Sequence, residues 1–339
     1  MPNTEFRSAV DAMLVNKKQD RDHTYLHPSA FGGCPREIYF STIGCESVVP
    51  HNSTKIRLFD NGHFVHLRNQ LYARDAGILV KDTVAEIEQV DLDLGSGPKP
   101  RVMITGESGR QYPFGLTEYI WATGEPEDGP DWAGHLTPLW RLAVEMKPGD
   151  EWWLVEVPIF DEEHHFGGHC DLVVMNGGRE AVVDYKGTSD WNFGYLYYNE
   201  DDTSGYQARY PDPHNALCFI CGEPMRRGKD LCDHFIKNHE ADLVVDRKYN
   251  VQLHIYMWLL GIDQAILWHE NKNNQEVVDM EIEMDSELID IIKKRSHKIW
   301  VRVQSATPPP RPKHPRKCKS RKAFPCGWCD VQSECWSKD

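Results

Sequence analysis

Apolar and polar positions follow two patterns along the chain, one helical and one extended. Apolar residues recur at helical spacing up to about residue 18 and over about 36–43, 54–75, 132–146, 249–260 and 286–304. Short β-rich runs bounded by turn residues occupy 77–122, 152–160, 168–175, 181–185 and a pair within 264–283. Adjacent strands mixed with amphipathic helices predict an α/β fold, with a hairpin turn at Asn176-Gly177-Gly178.

Size and composition fit one globular domain with insertions. The chain has 339 residues, of which 40% are hydrophobic and 27% are charged, so it can bury a large core. No apolar run approaches the roughly 20 residues that span a bilayer, and the N-terminus lacks a signal-peptide pattern. We therefore expect a cytoplasmic protein with no membrane partner.

The net charge of the chain bears on whether it can bind polyanions. The formal charge of -14 argues against a protein that coats polyanions in general, but it is compatible with a site where carboxylates gather metal ions. Attraction to phosphate can still be local, because the segment 311–322 contains several Lys and Arg residues and no acidic residue.

Two carboxylates and a lysine form the candidate catalytic group. We expect Asp171 and Asp184 at the ends of neighbouring strands joined by a tight turn, where both reach one divalent cation. The Lys186 ammonium would lie beside that cation and stabilise charge on a phosphoryl group. Such oxygen ligands suit Mg²⁺ or Mn²⁺. A D-x-K sequence alone also fits an ordinary surface hairpin.

Two predicted helices carry further candidates. His66 lies on the helix over 54–75, and Gln252 and Tyr256 share one face of the helix over 249–260, where they could touch a DNA strand. Taken singly, His66 also fits an ordinary core or surface histidine.

The order of the motifs is G-x3-H, a strand glutamate at Glu156, G-x2-D, D-x-K and Q-x3-Y. This order resembles the RecB-like branch of the PD-(D/E)XK nucleases, which includes AddB and the CRISPR-associated Cas-type exonucleases, over about residues 34–335. The resemblance implies a restriction-endonuclease-like core, in which a central mixed sheet is flanked by helices.

The resemblance also implies a role for each matching residue. His66, Asp171, Asp184 and the Tyr185 carbonyl would bind the metal, Lys186 would be the catalytic lysine, Glu156 a supporting carboxylate, and Gln252 and Tyr256 DNA-binding residues. The implied activity is that of a DNA exonuclease on single-stranded or end-resected DNA, in recombination, repair or phage replication. A non-catalytic DNA-binding or scaffold protein on the nuclease fold and a nuclease that acts on RNA remain alternatives. Any helicase would be a separate partner, because no G-x4-G-K-[ST] phosphate loop occurs.

The C-terminal cysteines form a second candidate metal site. Cys326, Cys329 and Cys335 have the spacing C-x2-C-x5-C, which favours a bound metal over free thiols. The resemblance implies a 4Fe-4S cluster with Cys34 as the distant fourth ligand, a structural clasp between the two ends of the domain. Cys318 is the alternative fourth ligand, and zinc fits the spacing equally well.

A third candidate site has the spacing C-x2-C-x12-H-x4-H of a zinc finger, formed by Cys218, Cys221, His234 and His239. We expect a structural zinc ion in this module, which is inserted into the nuclease core. The predicted organisation is then a first part of the core over 1–204, the finger over 205–245, the second part of the core over 246–306, and a basic linker with the cysteine cluster over 307–339.

Overall fold

The computed structural model describes residues 11–14, 25–45, 53–93, 97–123, 139–188, 247–310, 329 and 331–337. The predicted zinc finger, with Cys218, Cys221, His234 and His239, lies outside the described residues, as do Cys318, Cys326 and the basic segment at 311–322. Within the described ranges, no helix is both long and apolar enough to cross a bilayer.

The described helices are α1 (Pro28–Phe31), α2 (Pro35–Thr42), α3 (Ser53–Asp75), α4 (Arg247–Leu260), α5 (Ser286–Gln304) and α6 (Gln332–Ser337). The strands are β1 (Lys81–Asp93), β2 (Pro98–Gly106), β3 (Gln111–Gly115), β4 (Tyr119–Ala122), β5 (Leu139–Leu142), β6 (Glu151–Trp153), β7 (Val155–Asp161), β8 (Phe166–Asn176), β9 (Arg179–Thr188), β10 (Gln264–Asn271) and β11 (Val277–Glu283). These elements confirm the predicted α/β class and, with one exception, the predicted segments that fall within the described residues; most of the helix predicted up to about residue 18 lies outside them.

A mixed five-stranded sheet forms the centre of the molecule, in the order β11-β10-β9-β8-β7. Strands β9 and β10 run parallel, and the other neighbours run antiparallel. Asn176 pairs with Arg179 across the predicted turn. Gly177 and Gly178 have φ angles of 59° and 83°, values that a tight hairpin turn requires and that glycine adopts without steric cost. The predicted mixed sheet and hairpin are therefore confirmed.

Helices cover both faces of this sheet. On one face, α4 and α5 bury Leu253, Ile255, Ile289 and Ile292 against the strands in a core that also includes residues of β1, β2 and β3. On the other face, α3 buries Leu71 in a smaller cluster. Helix α5 begins at a good N-cap, because the Asp285 side chain accepts hydrogen bonds from the Glu287 and Leu288 main chain.

A second sheet of six strands lies beside the first, in the order β3-β2-β1-β6-β4-β5. Its presence corrects the helix predicted over 132–146, because the described part of that segment contains strand β5 and a short 3₁₀ helix (Ala143–Glu145). Trp140 of β5 packs edge-on against Trp121 of β4, with ring centres 5.6 Å apart. Cross-strand packing of this kind outweighs a helical spacing of apolar residues.

Candidate metal centre

Three elements, α3, β7 and β8, each contribute one possible metal ligand to the same place. His66 of α3, Glu156 of β7 and Asp171 of β8 each place a ligand atom within 4.8 Å of the others. The His66 Nδ1 atom lies 3.5 Å from Asp171 Oδ2. Within the described residues, this is the group of imidazole and carboxylate atoms that is close enough to share one metal ion.

The backbone of β7 is kinked where it presents its carboxylate. Glu156 has a φ of 48°, in the left-handed region that costs a non-glycine residue energy. Residues two apart in a regular strand face the same side, yet Val155 packs in the α3 cluster and Val157 in the α4 and α5 core. The kink turns Glu156 toward Asp171, a placement that simple alternation along β7 does not predict.

The two aspartates lie side by side within the central sheet. Leu172 and Val183 are paired residues of β8 and β9, so Asp171 and Asp184 are neighbours across these strands. They occupy the middle of the strands rather than the ends, which corrects that detail of the sequence prediction. The Tyr185 amide donates to Asp171 Oδ2 at 2.7 Å and fixes the orientation of this carboxylate.

Lys186 supplies the positive charge of the site. Its Nζ atom lies 2.5 Å from Asp184 Oδ2 and 5.2 Å from the centre of the Tyr249 ring. Burial alone would lower the pKa of Lys186, but the neighbouring Asp184 and Asp171 carboxylates raise it. The lysine is therefore an ammonium group at neutral pH.

The carboxylates outnumber this one lysine, and their pKa values are raised. Burial and the charge on Asp171 raise the pKa of Glu156 to about 7. Burial also raises the pKa of Asp184 to about 6, although Lys186 opposes the shift. The Glu156 side chain is open to solvent, so it is the outer carboxylate of the group. This excess of buried negative charge is what a cation would neutralise.

His66 is in the protonation state that a metal ligand needs. Burial and the nearby Lys186 lower its pKa to about 4, while Asp184 acts in the opposite direction. The ring is therefore neutral at pH 7 and has a lone pair to offer. A hydrogen bond to the Tyr185 main chain brings that peptide unit to the site, where the sequence predicts a carbonyl ligand.

Gln252 and Tyr256 lie beneath the site. Gln252 Nε2 donates to Asp184 Oδ1 at 2.8 Å and is also 2.8 Å from the Tyr256 hydroxyl. Both side chains are buried, with relative exposures of 3%. The shared helical face is thus confirmed, and the contact that the structure shows is with the Asp184 carboxylate. The predicted contact of these two residues with DNA stays a prediction.

Sequence reasoning missed Gln70. Its Nε2 atom donates to Glu156 Oε1 at 2.9 Å and to the Asp171 carbonyl at 3.2 Å, so one buried amide orients one carboxylate and the strand that carries another. The signal was present, because Gln70 follows His66 by four residues and so shares its helical face.

His169 and Glu118 form a second missed pair near the site. His169 Nε2 lies 3.8 Å from Glu118 Oε2. Burial would lower the pKa of His169, but Glu118 and Glu156 raise it. The pair places an imidazole with a raised pKa close to Glu156, the outer carboxylate of the candidate site.

The two ends of the described chain meet at the cysteines. Tyr39, Phe40 and Val331 form a small buried cluster against which Cys45, Cys329 and Cys335 pack. Burial raises the pKa of Cys34, and nearby Cys335 acts in the same direction; burial raises the pKa of Cys329 to about 12, and Cys34 and Cys335 contribute. Three of the predicted ligands are therefore neighbours.

Arg36 ties these two ends together. The side chain is only 4% exposed. It donates from Nε to Cys335 Sγ at 3.2 Å, and from its terminal nitrogens to the Cys335 carbonyl at 2.8 Å and the Pro309 carbonyl at 3.0 Å. A guanidinium group shared among three acceptors fixes Cys335 against α2.

Comparison with known proteins gives only weak similarity. No protein-family model matches the chain, and no curated protein matches it. The crystal structure of SSO0001 aligns over 99% of this chain and 98% of that one, with 10% identity and a TM-score of 0.38. A phage related exonuclease from Haemophilus somnus 129PT aligns over 44% of this chain and 58% of its own, with 17% identity and a TM-score of 0.26. At these scores the similarities carry no argument about the site or its chemistry.

Proposed function

We propose that this chain is a metal-dependent DNA nuclease of the RecB-like PD-(D/E)XK type. The observation that carries the proposal is the convergence of His66, Glu156 and Asp171 within 4.8 Å, with the Asp184 and Lys186 pair beside them. One neutral imidazole and several carboxylates with raised pKa values fit Mg²⁺ or Mn²⁺. A protein that only binds DNA gains nothing from burying this arrangement.

The chemistry of the residues follows from their positions. A divalent cation supplies positive charge for the phosphoryl oxygens and increases the acidity of the attacking water. The Lys186 ammonium adds charge beside the scissile phosphate. Glu156, whose ligand atom lies within 4.8 Å of those of His66 and Asp171, would act as the supporting carboxylate that helps to hold the cation. Gln252 holds the Asp184 carboxylate through its hydrogen bond.

The proposed substrate is single-stranded or end-resected DNA, and the proposed setting is recombination, repair or phage replication, with any unwinding done by a helicase partner. The test is cleavage of labelled single-stranded DNA, duplex DNA and RNA by the purified chain with Mg²⁺ or Mn²⁺. Lys186→Ala should abolish cleavage. Lys147→Ala, at an exposed lysine outside the site, is the matched control and should cut normally.

The outcomes separate the alternatives. Cleavage of RNA alone would make the substrate class wrong. DNA binding without cleavage by the wild type, with either metal, would favour the non-catalytic scaffold. Cleavage by Lys186→Ala at the wild-type rate would show that Lys186 is not the catalytic lysine.

For the second site we propose a 4Fe-4S cluster bound by Cys34, Cys326, Cys329 and Cys335, with Cys318 as the alternative fourth ligand. The Sγ atoms of the three described ligands do not all lie within 4.8 Å of one another. Zinc thiolates at about 2.3 Å from the metal would be roughly 3.8 Å apart. The resemblance to the RecB-like nucleases is what favours a cluster of several irons here, and zinc remains the alternative.

Spectroscopy and metal analysis test this second proposal. Cys329→Ser should remove a brown absorbance near ~400 nm, and a colourless wild type with stoichiometric zinc would contradict it. Arg36→Lys should speed metal loss to a chelator by about 10-fold, because second-shell partners typically change metal affinity by that order. Arg110→Lys is the matched control, since Arg110 donates to the Leu260 carbonyl at 2.9 Å and should leave the rate unchanged.

A further inference from the structure

A groove of about 400 Å³ lies on the surface between the β7–β8 turn and α5, apart from both metal sites. Its lining residues are Glu163, His164, Lys293, Lys294, His297 and Lys298. Three lysines and two histidines against one carboxylate make this a basic groove, in a chain whose formal net charge is -14.

The lysines of the groove have no anionic partner in the part of the chain that the structure describes. Some charged side chains elsewhere on the surface are paired, as Lys81 is with Glu151 at 3.6 Å and Arg179 with Glu283 at 2.8 Å. No such ion pair is found for Lys293, Lys294 or Lys298 among the described residues. The positive charge is therefore available to a ligand from solution.

The walls of the groove are held in place by packing. Lys293 Nζ lies 4.6 Å from the centre of the Trp258 ring, and the His164 ring packs edge-on against the same tryptophan at 5.1 Å. His164 Nδ1 also lies 3.1 Å from Asp161 Oδ2. These contacts fix one lysine and one histidine on opposite sides of the groove.

The turn that forms one wall has an unfavourable backbone. His165 has a φ of 59°, and its ring is stacked on Trp300 of α5 with centres 3.9 Å apart. A non-glycine residue in the left-handed region persists only where surrounding contacts hold it, and such positions are frequent at binding sites. The stack joins the β7–β8 turn to α5 and so keeps the two walls at a fixed separation.

We propose that this groove binds the phosphodiester backbone of the DNA substrate at a distance from the scissile phosphate. The inference rests on the proposed nuclease function and adds a second contact for the same strand. Ammonium groups that have no ion-pair partner match the spaced negative charges of a phosphate backbone, and contacts of this kind set affinity without reading sequence.

The position of the groove sets a minimum substrate length. The β7–β8 turn precedes β8, and Asp171 lies five residues after Phe166, at the start of that strand. At about 3.3 Å per residue the separation is roughly 17 Å, which corresponds to about five steps of 3.4 Å along a nucleic-acid strand. Oligonucleotides shorter than this would occupy the metal centre without reaching the groove.

The experiment measures DNA binding in a chain that does not cleave. Fluorescence anisotropy with the full-length Asp184→Asn chain gives Kd for single-stranded DNA of about 20 and about four nucleotides, over roughly 50 to 200 mM salt. Adding Lys293→Gln, Lys294→Gln and Lys298→Gln together should weaken binding of the long strand by at least about 10-fold. The slope of log Kd against log salt should fall by about two, since each single-strand phosphate contact contributes about 0.7.

Two controls make the result specific. Binding of the short oligonucleotide should not change, and Lys81→Gln, on the other sheet, should leave the long-strand Kd and slope at the wild-type values. An unchanged Kd and slope in the triple variant, or no binding of the long strand by the parent chain, would overturn the proposal. Cleavage of bis(p-nitrophenyl) phosphate is measured with the three lysine changes in the active chain, and it should equal that of the wild type. Failure of the wild type to cleave any diester would refute the nuclease function instead.

Discussion

The two sheets bury acidic residues in opposite ways. In the six-stranded sheet, Asp82 accepts hydrogen bonds from the Thr83 amide at 2.8 Å, the Ser108 hydroxyl at 2.5 Å and the Tyr112 hydroxyl at 3.0 Å. In the five-stranded sheet, Asp171 and Asp184 are neighbours, and a single lysine pairs with the second of them.

This difference separates a structural carboxylate from a functional one. Asp82 has a set of neutral donors that replaces its water, so its burial costs little and fixes the strands around it. Burial raises the pKa values of Glu156 and Asp184, and the charge on Asp171 raises both further. A bound cation would relieve that repulsion. Stability and activity should therefore depend on different buried acids.

The most direct test exchanges one acid in each sheet. Asp184→Asn should lower kcat/KM for DNA cleavage by about 10³-fold or more, because a metal ligand and the partner of Lys186 are lost together. Its free energy of unfolding should change by less than about 1 kcal/mol, since relief of repulsion offsets the unpaired lysine. Cleavage kinetics and urea unfolding measure the two quantities.

Asp82→Asn should show the opposite pattern. The side-chain amide introduced by this change would turn its own N–H group toward groups that donate to Asp82 in the wild type. The free energy of unfolding should therefore fall by about 3 kcal/mol. Cleavage per folded molecule should stay within about twofold of the wild type. If both variants lose stability and activity in equal measure, the division between the two sheets is wrong.

Sequence patterns predicted the elements of the central sheet better than the details of its site. Runs of β-forming residues between turn signals predict β7, β8 and β9, and the centres of β8 and β9 are buried on both faces. Period-3.6 spacing predicts α3. Only the three-dimensional structure shows the positive φ of Glu156, which depends on how β7 and β8 pack on two different cores.

The buried amides show the same limit. Gln252 was predicted to touch DNA because it lies on the same helical face as Tyr256, but the sequence does not say whether that face meets solvent or the Asp184 carboxylate. The helix predicted over 132–146 failed for a related reason, since the pairing of β5 with β4 is a long-range contact that local spacing does not contain.

The next largest expected effect is the pH dependence of stability that comes from a buried histidine. His269 of β10 is paired in register with Lys186, is 1% exposed, and has no hydrogen-bond partner for either ring nitrogen among the described residues. Burial and Lys186 lower its pKa to about 4. The unfolded chain takes up the proton near pH 6.5, so this contribution to stability is complete above that pH and is lost as the pH falls toward 4.

The pH dependence of unfolding isolates that contribution. Between pH 6.5 and 4 the wild type should lose up to about 3 kcal/mol relative to His269→Gln, from 1.36 kcal/mol for each pKa unit. Chemical denaturation at several pH values measures the difference between the two proteins. The acids of the site, whose pKa values are raised, contribute with the opposite sign in both chains and cancel. Parallel pH profiles would show that His269 is protonated in the folded state.

Cation binding should stabilise one sheet and leave the other unaffected. Mn²⁺ at about 100 times its Kd should raise the free energy of unfolding by about 2.7 kcal/mol, and below pH 7 binding should release a proton from Glu156. Asp171→Asn should lose this stabilisation by Mn²⁺. Asp82→Asn should keep it, although its free energy of unfolding without the metal is lower than that of the wild type. Calorimetry in buffers with different ionisation enthalpies counts the proton. Equal stabilisation of the Asp171 variant would place the cation elsewhere.

The smallest expected effect tests whether hydrogen bonds organise the central acids as they do Asp82. Gln70 donates to Glu156 Oε1, so Gln70→Ala should weaken Mn²⁺ binding by about 10-fold, a typical second-shell effect. Asn69→Ala, one residue earlier and bonded to Glu270 at 3.2 Å, should bind the metal normally. If Gln70→Ala and Asn69→Ala bind Mn²⁺ with the same affinity, the hydrogen bonds of Gln70 do not organise the site. His66 would then be the one residue of α3 that contributes to it directly.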